Sequence, residues 1–383
     1  MTACALENTE TPVVAATNPA ADAEASRDGA PPADGASREL TAPGAQHNPT
    51  PELVLDTQEM PLGPMRRDLS PVVRDGKVIL WQRTLPLQDP RYLVVAASTT
   101  PTRPAAKGRL IQDVPVGPRI DSVAFDATYV YEAVHGDLPG TAGHVARKKL
   151  DGSEGQGAAT PYFSLPVDLV WQNIALASDA IYLVGAMATG NADDTASLYR
   201  IPLPIAAPTA LPTAIITGRK STISDLTVVG THLFWNERFT GGDWRLLTAE
   251  TTGGEPIEID PAVGATASAI ASDGTYVYWT TVGAAGALKR CLLSTLQPAH
   301  VRHVANVPWA QEGLFVQGQF AYVMELDHHT TYRIDVTDGS KRRLGDMIVE
   351  PPLGLGIELA GVDGNYVYVL SQDAKVWRFR NQP

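Results

Sequence analysis

Asp273-Gly274-Thr275-Tyr276-Val277-Tyr278-Trp279 is the most informative segment of this 383-residue chain, and it follows the small apolar run Ala269-Ile270-Ala271-Ser272. Tyr, Val and Trp prefer β-strands, and an Asp-Gly pair between two strand-like runs is a strong hairpin signal. The run after the turn is almost continuously apolar, which indicates a strand covered on both faces. We therefore expect two antiparallel strands joined by a tight turn at Asp273-Gly274.

The same pattern recurs along the chain as a small turn followed by an aromatic or β-branched run. Anchor residues placed in the seven copies lie 44 to 52 residues apart, which fits a four-stranded propeller blade. The runs are short and show no helical spacing of apolar residues. We predict an all-β fold, a β-propeller of seven four-stranded blades, with six blades as the second choice. The anchors are Val78, Tyr129, Ile181, His232, Tyr276, Phe320 and Tyr366.

The two ends of the folded region are predicted to share one blade. A third strand in several units places an arginine two residues after an apolar one, as in Val376 and Arg378. The last such run, residues 375–380, leaves no sequence for a fourth strand. We expect residues 52–56 to complete the last blade, which removes a free sheet edge. The predicted domains are a tether over residues 1–50 and a propeller over residues 51–383.

Residues 1–50 contain no Phe, Trp, Tyr or Lys, and carry seven acidic residues against Arg27 and Arg38. Such a segment cannot bury enough apolar surface to offset the entropy of ordering, so we predict a disordered spacer. Within it, Met1-Thr2-Ala3-Cys4 resembles a bacterial lipobox, although no basic and apolar signal region precedes it. One hypothesis is lipid attachment at Cys4 and display at a bacterial cell surface or in the periplasm; an ordinary cysteine in a flexible end is the other.

The overall charge excludes some classes of partner. The chain has 30 Lys plus Arg against 42 Asp plus Glu, a formal net charge of −12. Nucleic acid and anionic lipid need a surplus of cations, so neither is expected as a partner. No apolar stretch approaches the roughly 20 residues of a membrane span, so contact with a membrane is expected only through a lipid anchor. Two distant cysteines, Cys4 and Cys291, do not make a disulfide scaffold.

Tyr278-Trp279-Thr280-Thr281 is similar to the Tyr-Trp-Thr-Asp signature of YWTD propeller repeats. Residues 145–153, Val-Ala-Arg-Lys-Lys-Leu-Asp-Gly-Ser, resemble the continuation of that repeat. In the other units Trp81 and Trp235 align with Trp279, whereas Glu132, Val184, Val323 and Val369 replace it. The resemblance implies a ligand-binding or scaffolding module outside the cell, without catalysis. YWTD propellers usually have six blades, whereas this sequence has seven units.

Sequence motifs of catalysis are absent from the chain, so no catalytic residue is assigned. His328 and His329 are adjacent in a short connection, and neighbouring strand residues point to opposite faces, so an exposed turn is preferred over a metal site. His232 stands at an anchor position and is interpreted as a packing residue. Cys291 is interpreted as a small buried hydrophobe.

Most aromatic residues recur at fixed places in the repeat and are predicted to lie in the core. Trp244 and Trp309 fall outside that register, so they are the candidates for an aromatic ligand platform. Glu312 and Asn173, at the start of predicted inner strands, are the accompanying polar candidates.

Three acidic residues stand at corresponding places before the turns: Asp121, Asp225 and Glu358. Inner strands of a propeller begin around one mouth of the central channel, so these carboxylates are candidates for a calcium or magnesium site or for acid-base chemistry. The alternative is that they are solvated loop acids. If they converge, a cation or basic partner is needed to offset their repulsion.

Two main function classes follow from the sequence. The first is a non-catalytic propeller that binds or scaffolds a protein or glycan partner. The second is a channel-mouth enzyme of the propeller hydrolase, lyase or lactonase type, because fold alone does not separate the two. An intracellular assembly scaffold is a third possibility.

Overall fold

The computed structural model describes 18 segments of the chain, all within the predicted propeller; the predicted tether and Cys4 lie outside them. The segments are residues 52–56, 69–74, 76–84, 91–100, 108–115, 120–134, 143–165, 169–187, 196–203, 212–219, 221–238, 242–264, 269–308, 310–325, 330–343, 358–362, 366–370 and 375–380.

The described strands form seven four-stranded antiparallel sheets, so the predicted seven-bladed propeller is confirmed and the six-bladed alternative is wrong. Blade 1 consists of β2 (Leu69–Arg74), β3 (Lys77–Thr84), β4 (Arg91–Ser98) and β5 (Arg109–Pro115). Blade 2 consists of β6 (Ile120–Phe125), β7 (Tyr129–Val134), β8 (His144–Lys149) and β9 (Thr160–Ser164). Blade 3 consists of β10 (Leu169–Leu176), β11 (Ala180–Met187), β12 (Ala196–Pro202) and β13 (Thr213–Arg219).

The second half of the chain continues the pattern. Blade 4 consists of β14 (Thr222–Val229), β15 (His232–Arg238), β16 (Trp244–Glu250) and β17 (Ile257–Gly264). Blade 5 consists of β18 (Ile270–Ser272), β19 (Tyr276–Thr280), β20 (Ala287–Leu292) and β21 (Arg302–Asn306). Blade 6 consists of β22 (Ala310–Gln317), β23 (Phe320–Glu325), β24 (Thr330–Asp335) and β25 (Lys341–Arg343). Blade 7 consists of β26 (Glu358–Val362), β27 (Tyr366–Leu370), β28 (Lys375–Arg380) and β1 (Glu52–Asp56).

Two single-turn 3₁₀ helices, Leu293–Thr295 and Pro298–His300, follow β20. In the described part of the chain no helix has the length and apolar character of a membrane span.

The last blade contains both ends of the folded chain. Strand β1 pairs antiparallel with β28 and forms the outer edge of the sheet, as the sequence led us to expect. Leu53 stands opposite Trp377 and Leu55 stands opposite Val376, with a register shift between the two pairs. Val54 and Leu55 are fully buried. The chain therefore closes the ring by strand pairing rather than by a covalent bond.

Among the described residues the hydrophobic core is divided into seven clusters, and each cluster fills the seam between two neighbouring blades. The cluster around Tyr182 and Trp235 joins blades 3 and 4, for example, and the one around Val54 and Val78 joins blades 7 and 1. The remaining five clusters fill the remaining five seams. Each sheet is thus apolar on both faces, which explains the continuous apolar runs in the second strands.

A repeated polar contact fixes the hairpin between the first and second strands. Asp126 accepts hydrogen bonds from the backbone amides of Thr128 and Tyr129, both at 2.6 Å, and from the Tyr131 hydroxyl at 2.9 Å. In blade 5, Asp273 makes the same three bonds, with the Tyr278 hydroxyl at 2.8 Å. Burial and the acidic partner raise the pKa of both tyrosines. Asp126 and Asp273 therefore have a structural role in their hairpins.

The arginine of the third strand lies over the aromatic ring that begins the second strand. The guanidinium carbon lies 4.7 Å from the ring centre of Tyr276 for Arg290, and 3.7 Å from that of Tyr366 for Arg378. Arg147 over Tyr129 and Arg333 over Phe320 repeat the arrangement. Such cation–π contacts contribute about 0.5–2 kcal/mol each. The pattern read from the sequence thus marks a packing contact of the repeat.

The structure corrects the alignment of the repeat in two blades. The amide that follows the third strand donates to the carbonyl before the second strand, in the pairs Thr99–Gly76, Leu203–Asp179 and Leu293–Thr275. By this register Leu80 and Leu183, rather than Trp81 and Val184, correspond to Trp279. The error arises because the anchors Val78 and Ile181 lie two residues after that carbonyl, whereas Tyr129 and Tyr276 follow it directly.

Candidate binding site at the start of the inner strands

Five of the seven inner strands carry an irregularity in their pairing with the second strand. In β6, β10, β14, β22 and β26 the register shifts near the start of the strand. In the described part of the chain, six of the seven pairs of neighbouring inner strands make several contacts with one another around the ring; the pair β2 and β6 is the exception. Because the inner strands of a propeller run in the same direction, their starts lie on one face of the ring. Bulges redirect side chains and are frequent beside functional sites, so this face is the candidate site.

Asp225 is the most distinctive residue on this face. It lies within the bulge of β14 and has a φ of 53°, the one positive φ found at a non-glycine position among the described residues. Its Oδ2 accepts hydrogen bonds from Ser224 Oγ at 2.8 Å and from the buried Asn236 Nδ2 at 3.3 Å. Aspartate adopts this conformation more readily than most residues, but it still costs free energy.

The carboxyl group of Asp225 reaches solvent, although protein atoms surround it on most sides. This partial burial raises its pKa, and the bonds from Ser224 and Asn236 only partly oppose the effect. A cationic or hydrogen-bonding ligand would therefore stabilise its charged form.

Asn173 lies half-buried in β10 beside the pairing shift of that strand. The next residue, Ile174, donates its backbone amide to Ser122 Oγ of blade 2 at 3.2 Å. A direct hydrogen bond therefore joins β6 and β10 beside the pairing shift of β10.

The remaining candidates are placed only in part. Asp121, Glu312 and Glu358 lie on β6, β22 and β26 respectively, near the start of each strand, but their side chains are outside the described residues. Trp309, His328 and His329 are wholly outside them. Among the side chains that the structure describes, no group of three His, Cys, Asp or Glu residues is arranged to hold a metal ion. The proposed grouping of Asp121, Asp225 and Glu358 stays a prediction.

Trp244 does not form an open platform. Its side chain is 8% exposed and packs into the seam between blades 4 and 5, with the guanidinium carbon of Arg238 5.0 Å from the ring centre. The residue begins β16 and so falls outside the second-strand register, which explains why the repeat did not identify it as core. His232 is half-buried with Nε2 3.3 Å from Glu250 Oε1, and Cys291 is buried and free, in line with the packing roles expected for both.

Sequence reasoning missed several buried charged residues between the blades. Glu237, fully buried, accepts three hydrogen bonds from Arg219, the shortest at 2.8 Å, and one from Trp235 Nε1 at 3.1 Å. Asp260 accepts from Trp279 Nε1 and from Lys289 Nζ, both at 2.8 Å. In each case a cation and an indole N–H compensate the charge of the buried carboxylate. Both carboxylates therefore have a structural role in the contact between blades.

A third buried acid, Glu132, has a different environment. It is 2% exposed, and its Oε2 accepts one hydrogen bond, from Gln112 Nε2 at 3.4 Å. Burial raises the pKa of its carboxyl group to about 7, with Gln112 and Lys148 acting in the opposite direction. The sequence carried a signal for this residue, because a charged side chain replaces the tryptophan of the repeat in a run that is otherwise apolar.

No protein-family model and no curated protein matches the sequence. Among solved structures, the WD40 β-propeller domain of Doa1 is similar over 87% of this chain and 98% of its own, with a TM-score of 0.53 and 11% identity. A puromycin hydrolase, solved as the S511A mutant complexed with PGG, is similar over 74% of this chain and 46% of its own, with a TM-score of 0.54 and 16% identity. The nidogen/laminin complex overlaps over 70% of this chain and 92% of the matched chain, with a TM-score of 0.44 and 12% identity.

The similarity to the Doa1 domain agrees with the seven sheets in defining the chain as a β-propeller protein. This chain spans less than half of the puromycin hydrolase. The similarity to YWTD repeats stays a resemblance in the absence of a matching family model.

Proposed function

We propose that this chain is a non-catalytic propeller module that binds a protein partner on the face where the inner strands begin. The observation that carries the proposal is the recurrence of pairing shifts at the start of five inner strands, with Asp225 held in a strained conformation at one of them. Backbone strain of this kind costs about 1–3 kcal/mol and is concentrated at binding sites and active sites.

The chemistry of Asp225 indicates what the partner presents. An exposed carboxylate whose pKa is raised by the protein atoms around it is stabilised in its charged form by a lysine or arginine side chain. The net charge of −12 increases the attraction of a basic partner to the whole molecule. We therefore assign a basic protein surface or loop as the partner.

Site-specific photo-crosslinking in the source cells tests the proposal. A photoreactive residue at Thr222, exposed at the start of β14, should form adducts with one partner protein. The control is Ser178, exposed in the β10–β11 hairpin on the opposite face. Adducts only at Ser178 would contradict the proposal.

The captured partner then allows a quantitative test. Asp225→Asn keeps a residue that tolerates the backbone conformation but removes the charge, so it should weaken binding by roughly tenfold. Ser178→Arg should leave the affinity unchanged. Unaltered binding by the Asp225 variant would refute the role of this face. If the wild type instead binds a glycan on an array and the Asp225 variant does not, the partner is a glycan rather than a protein.

An enzyme at the same face is the second candidate. The observation that favours it is the raised pKa of Asp225, since an acid that retains its proton nearer neutral pH is suited to general acid catalysis. A screen of lactones, glycans and peptides tests it. Turnover that disappears in Asp225→Asn and persists in Ser178→Arg would support the enzyme; absence of turnover on all three classes would remove this candidate.

We also propose attachment to a bacterial membrane through lipidated Cys4, on the strength of Thr2-Ala3-Cys4 and the composition of residues 1–50. Metabolic labelling with a palmitate analogue should mark the wild-type chain and not Cys4→Ser. Equal labelling of the two, or none of either, would leave the propeller without this anchor.

A further inference from the structure

Glu132 occupies the place in blade 2 that Trp279 occupies in blade 5. Both follow the anchor of the second strand by three residues, and both face the outer strand of the preceding blade. Trp279 donates to Asp260 of β17, whereas Glu132 accepts from Gln112 of β5. The two seams therefore use the same positions with donor and acceptor exchanged.

Glu132 and Gln112 have no cation in the position that Lys289 takes beside Trp279 and Asp260. Lys289 stands opposite Trp279 and binds Asp260, but the residue opposite Glu132 is Ala146. Two buried oxygens, Glu132 Oε1 and Gln112 Oε1, have no hydrogen-bond partner. A buried polar atom without a partner costs about 1–3 kcal/mol.

Protonation of Glu132 would satisfy both oxygens. The bond from Gln112 Nε2 to Glu132 Oε2 is present, and a proton on Oε1 would allow this oxygen to donate to Gln112 Oε1. The two side chains would then form the cyclic acid–amide pair with two parallel hydrogen bonds. Loss of that proton to solvent leaves a buried charge and two acceptors facing each other.

The other charged groups around Glu132 do not replace a direct partner. Lys148, on β8, is buried, lies diagonally across from Glu132, and donates its ammonium group to the carbonyl of Gly157. Glu154 acts on Lys148 as well. From blade 1, Lys77 Nζ donates to Ala127 O at 2.9 Å and Arg109 Nη2 donates to Gly152 O at 3.3 Å.

Residues 151–159 form a strap across this seam. They connect β8 to β9 and are mostly exposed. Two of their carbonyl groups accept hydrogen bonds across the seam, Gly152 from Arg109 and Gln156 from the Asp113 amide at 3.0 Å. A third, that of Gly157, accepts from Lys148 within blade 2. Opening of the strap would therefore release Lys148 and admit water towards Glu132.

We propose that Glu132 is a protonation switch, which closes the seam between blades 1 and 2 when its carboxyl group is protonated and loosens the strap 151–159 when it is ionised. Three observations support this role: the buried oxygens of Glu132 and Gln112 without a hydrogen-bond partner, the exchange of donor and acceptor relative to Trp279 and Asp260, and the bonds between the strap and blade 1. The pKa of about 7 agrees with it, because titration then falls in the physiological range.

The direction of the pH dependence follows from the raised pKa. The unfolded-state value is about 4.5 and the folded value is about 7, so the folded protein binds the proton more tightly. The stability contributed by the protonated form is fully present below pH 4.5 and is lost as the pH rises through about 7.

Hydrogen exchange at the Asp113 amide tests the switch, since this amide donates across the seam to the strap. Exchange is measured at several pH values between about 5.5 and 8.5 in the wild type and in Glu132→Gln, which has nearly the same shape and does not ionise. The ratio of the two exchange rates cancels the intrinsic pH dependence of exchange. The exchange rate of the wild type divided by that of Glu132→Gln should rise by roughly tenfold or more as Glu132 ionises.

A control variant and a direct titration of Glu132 complete the test. Glu237→Gln, which removes a buried carboxylate at another seam while Glu132 stays in place, should keep the wild-type pH dependence at Asp113. Carbon-13 NMR of the Glu132 carboxyl carbon should show titration near pH 7 in the intact protein. A ratio that stays flat across the range, or a carboxyl carbon ionised throughout it, would overturn the proposal.

Discussion

Arg378 and Glu52, the residues that join the last strand of the chain to the first described one, form an ion pair with Nη2 2.6 Å from Oε2. The same guanidinium group donates through Nη1 to the carbonyl oxygen of Thr99 in blade 1 at 3.2 Å. Arg290 makes the corresponding bond to Val336 of blade 6 at 2.7 Å. One arginine position of the repeat thus connects neighbouring blades, and in blade 7 it also holds the closing strand.

Deletion of residues 1–56 should therefore open the ring, whereas deletion of residues 1–50 should leave thermal unfolding nearly unchanged. The longer deletion exposes the partners of Val54 and Leu55, both fully buried. Each such side chain contributes about 1.5–3 kcal/mol, so we expect the melting temperature to fall by roughly 10 °C. Scanning calorimetry compares the two; equal effects would contradict closure by β1.

Asp260→Leu should destabilise the seam between blades 4 and 5 by about 3–5 kcal/mol, because it leaves Lys289 and the Trp279 indole without an acceptor. Adding Lys289→Met should recover part of the loss, which urea unfolding measures. Glu258→Gln is the control, since its pair with Arg245 is about 40% exposed on both sides and should change stability by less than about 1 kcal/mol. Additive losses in the double variant would refute the coupling.

Asp225→Gly should stabilise the propeller by about 1 kcal/mol while it weakens partner binding. Glycine adopts a φ of 53° without strain, and the carboxylate is lost. Gly230→Ala, at a φ of 59° with open space around it, should change stability in the opposite direction. A destabilised Asp225→Gly variant would show that the residue is retained for stability instead.

Calcium should raise the melting temperature if Asp121, Asp225 and Glu358 converge on an ion. The rise should vanish in the Asp121→Asn, Asp225→Asn double variant, because a ligand stabilises only the state that binds it. Thermal unfolding with and without millimolar calcium measures this. An unchanged melting temperature in the wild type would remove the metal site and leave the binding face without it.

The architecture was predictable because the sequence pattern recurs at intervals that equal the length of one blade. The turn at Asp273-Gly274 and the run Tyr276–Trp279 identify one hairpin, and its copies identify the other six. The short run at residues 52–56 could be assigned to the last blade because the final unit lacks a fourth strand. These inferences need only local pattern and a count of strands.

The pairing shifts and the contacts across the seams could not be predicted in the same way. A bulge such as that at Asp225 adds one residue and changes the face of those around it, without a marked change in composition. The contact between Gln112 and Glu132 joins two blades, and its register depends on how the sheets pack. The burial of Trp244 could not be predicted either, because its side chain is covered by residues of blade 5.

Hydrogen exchange of the complex with the partner captured at Thr222 tests the central claim most directly. We predict slower exchange from the starts of β10 and β14 to their pairing shifts at Asn173 and Asp225, with no change in the hairpin at Ser178 or in the outer strands. Protection confined to the outer strands or to the hairpin face would contradict binding at the start of the inner strands.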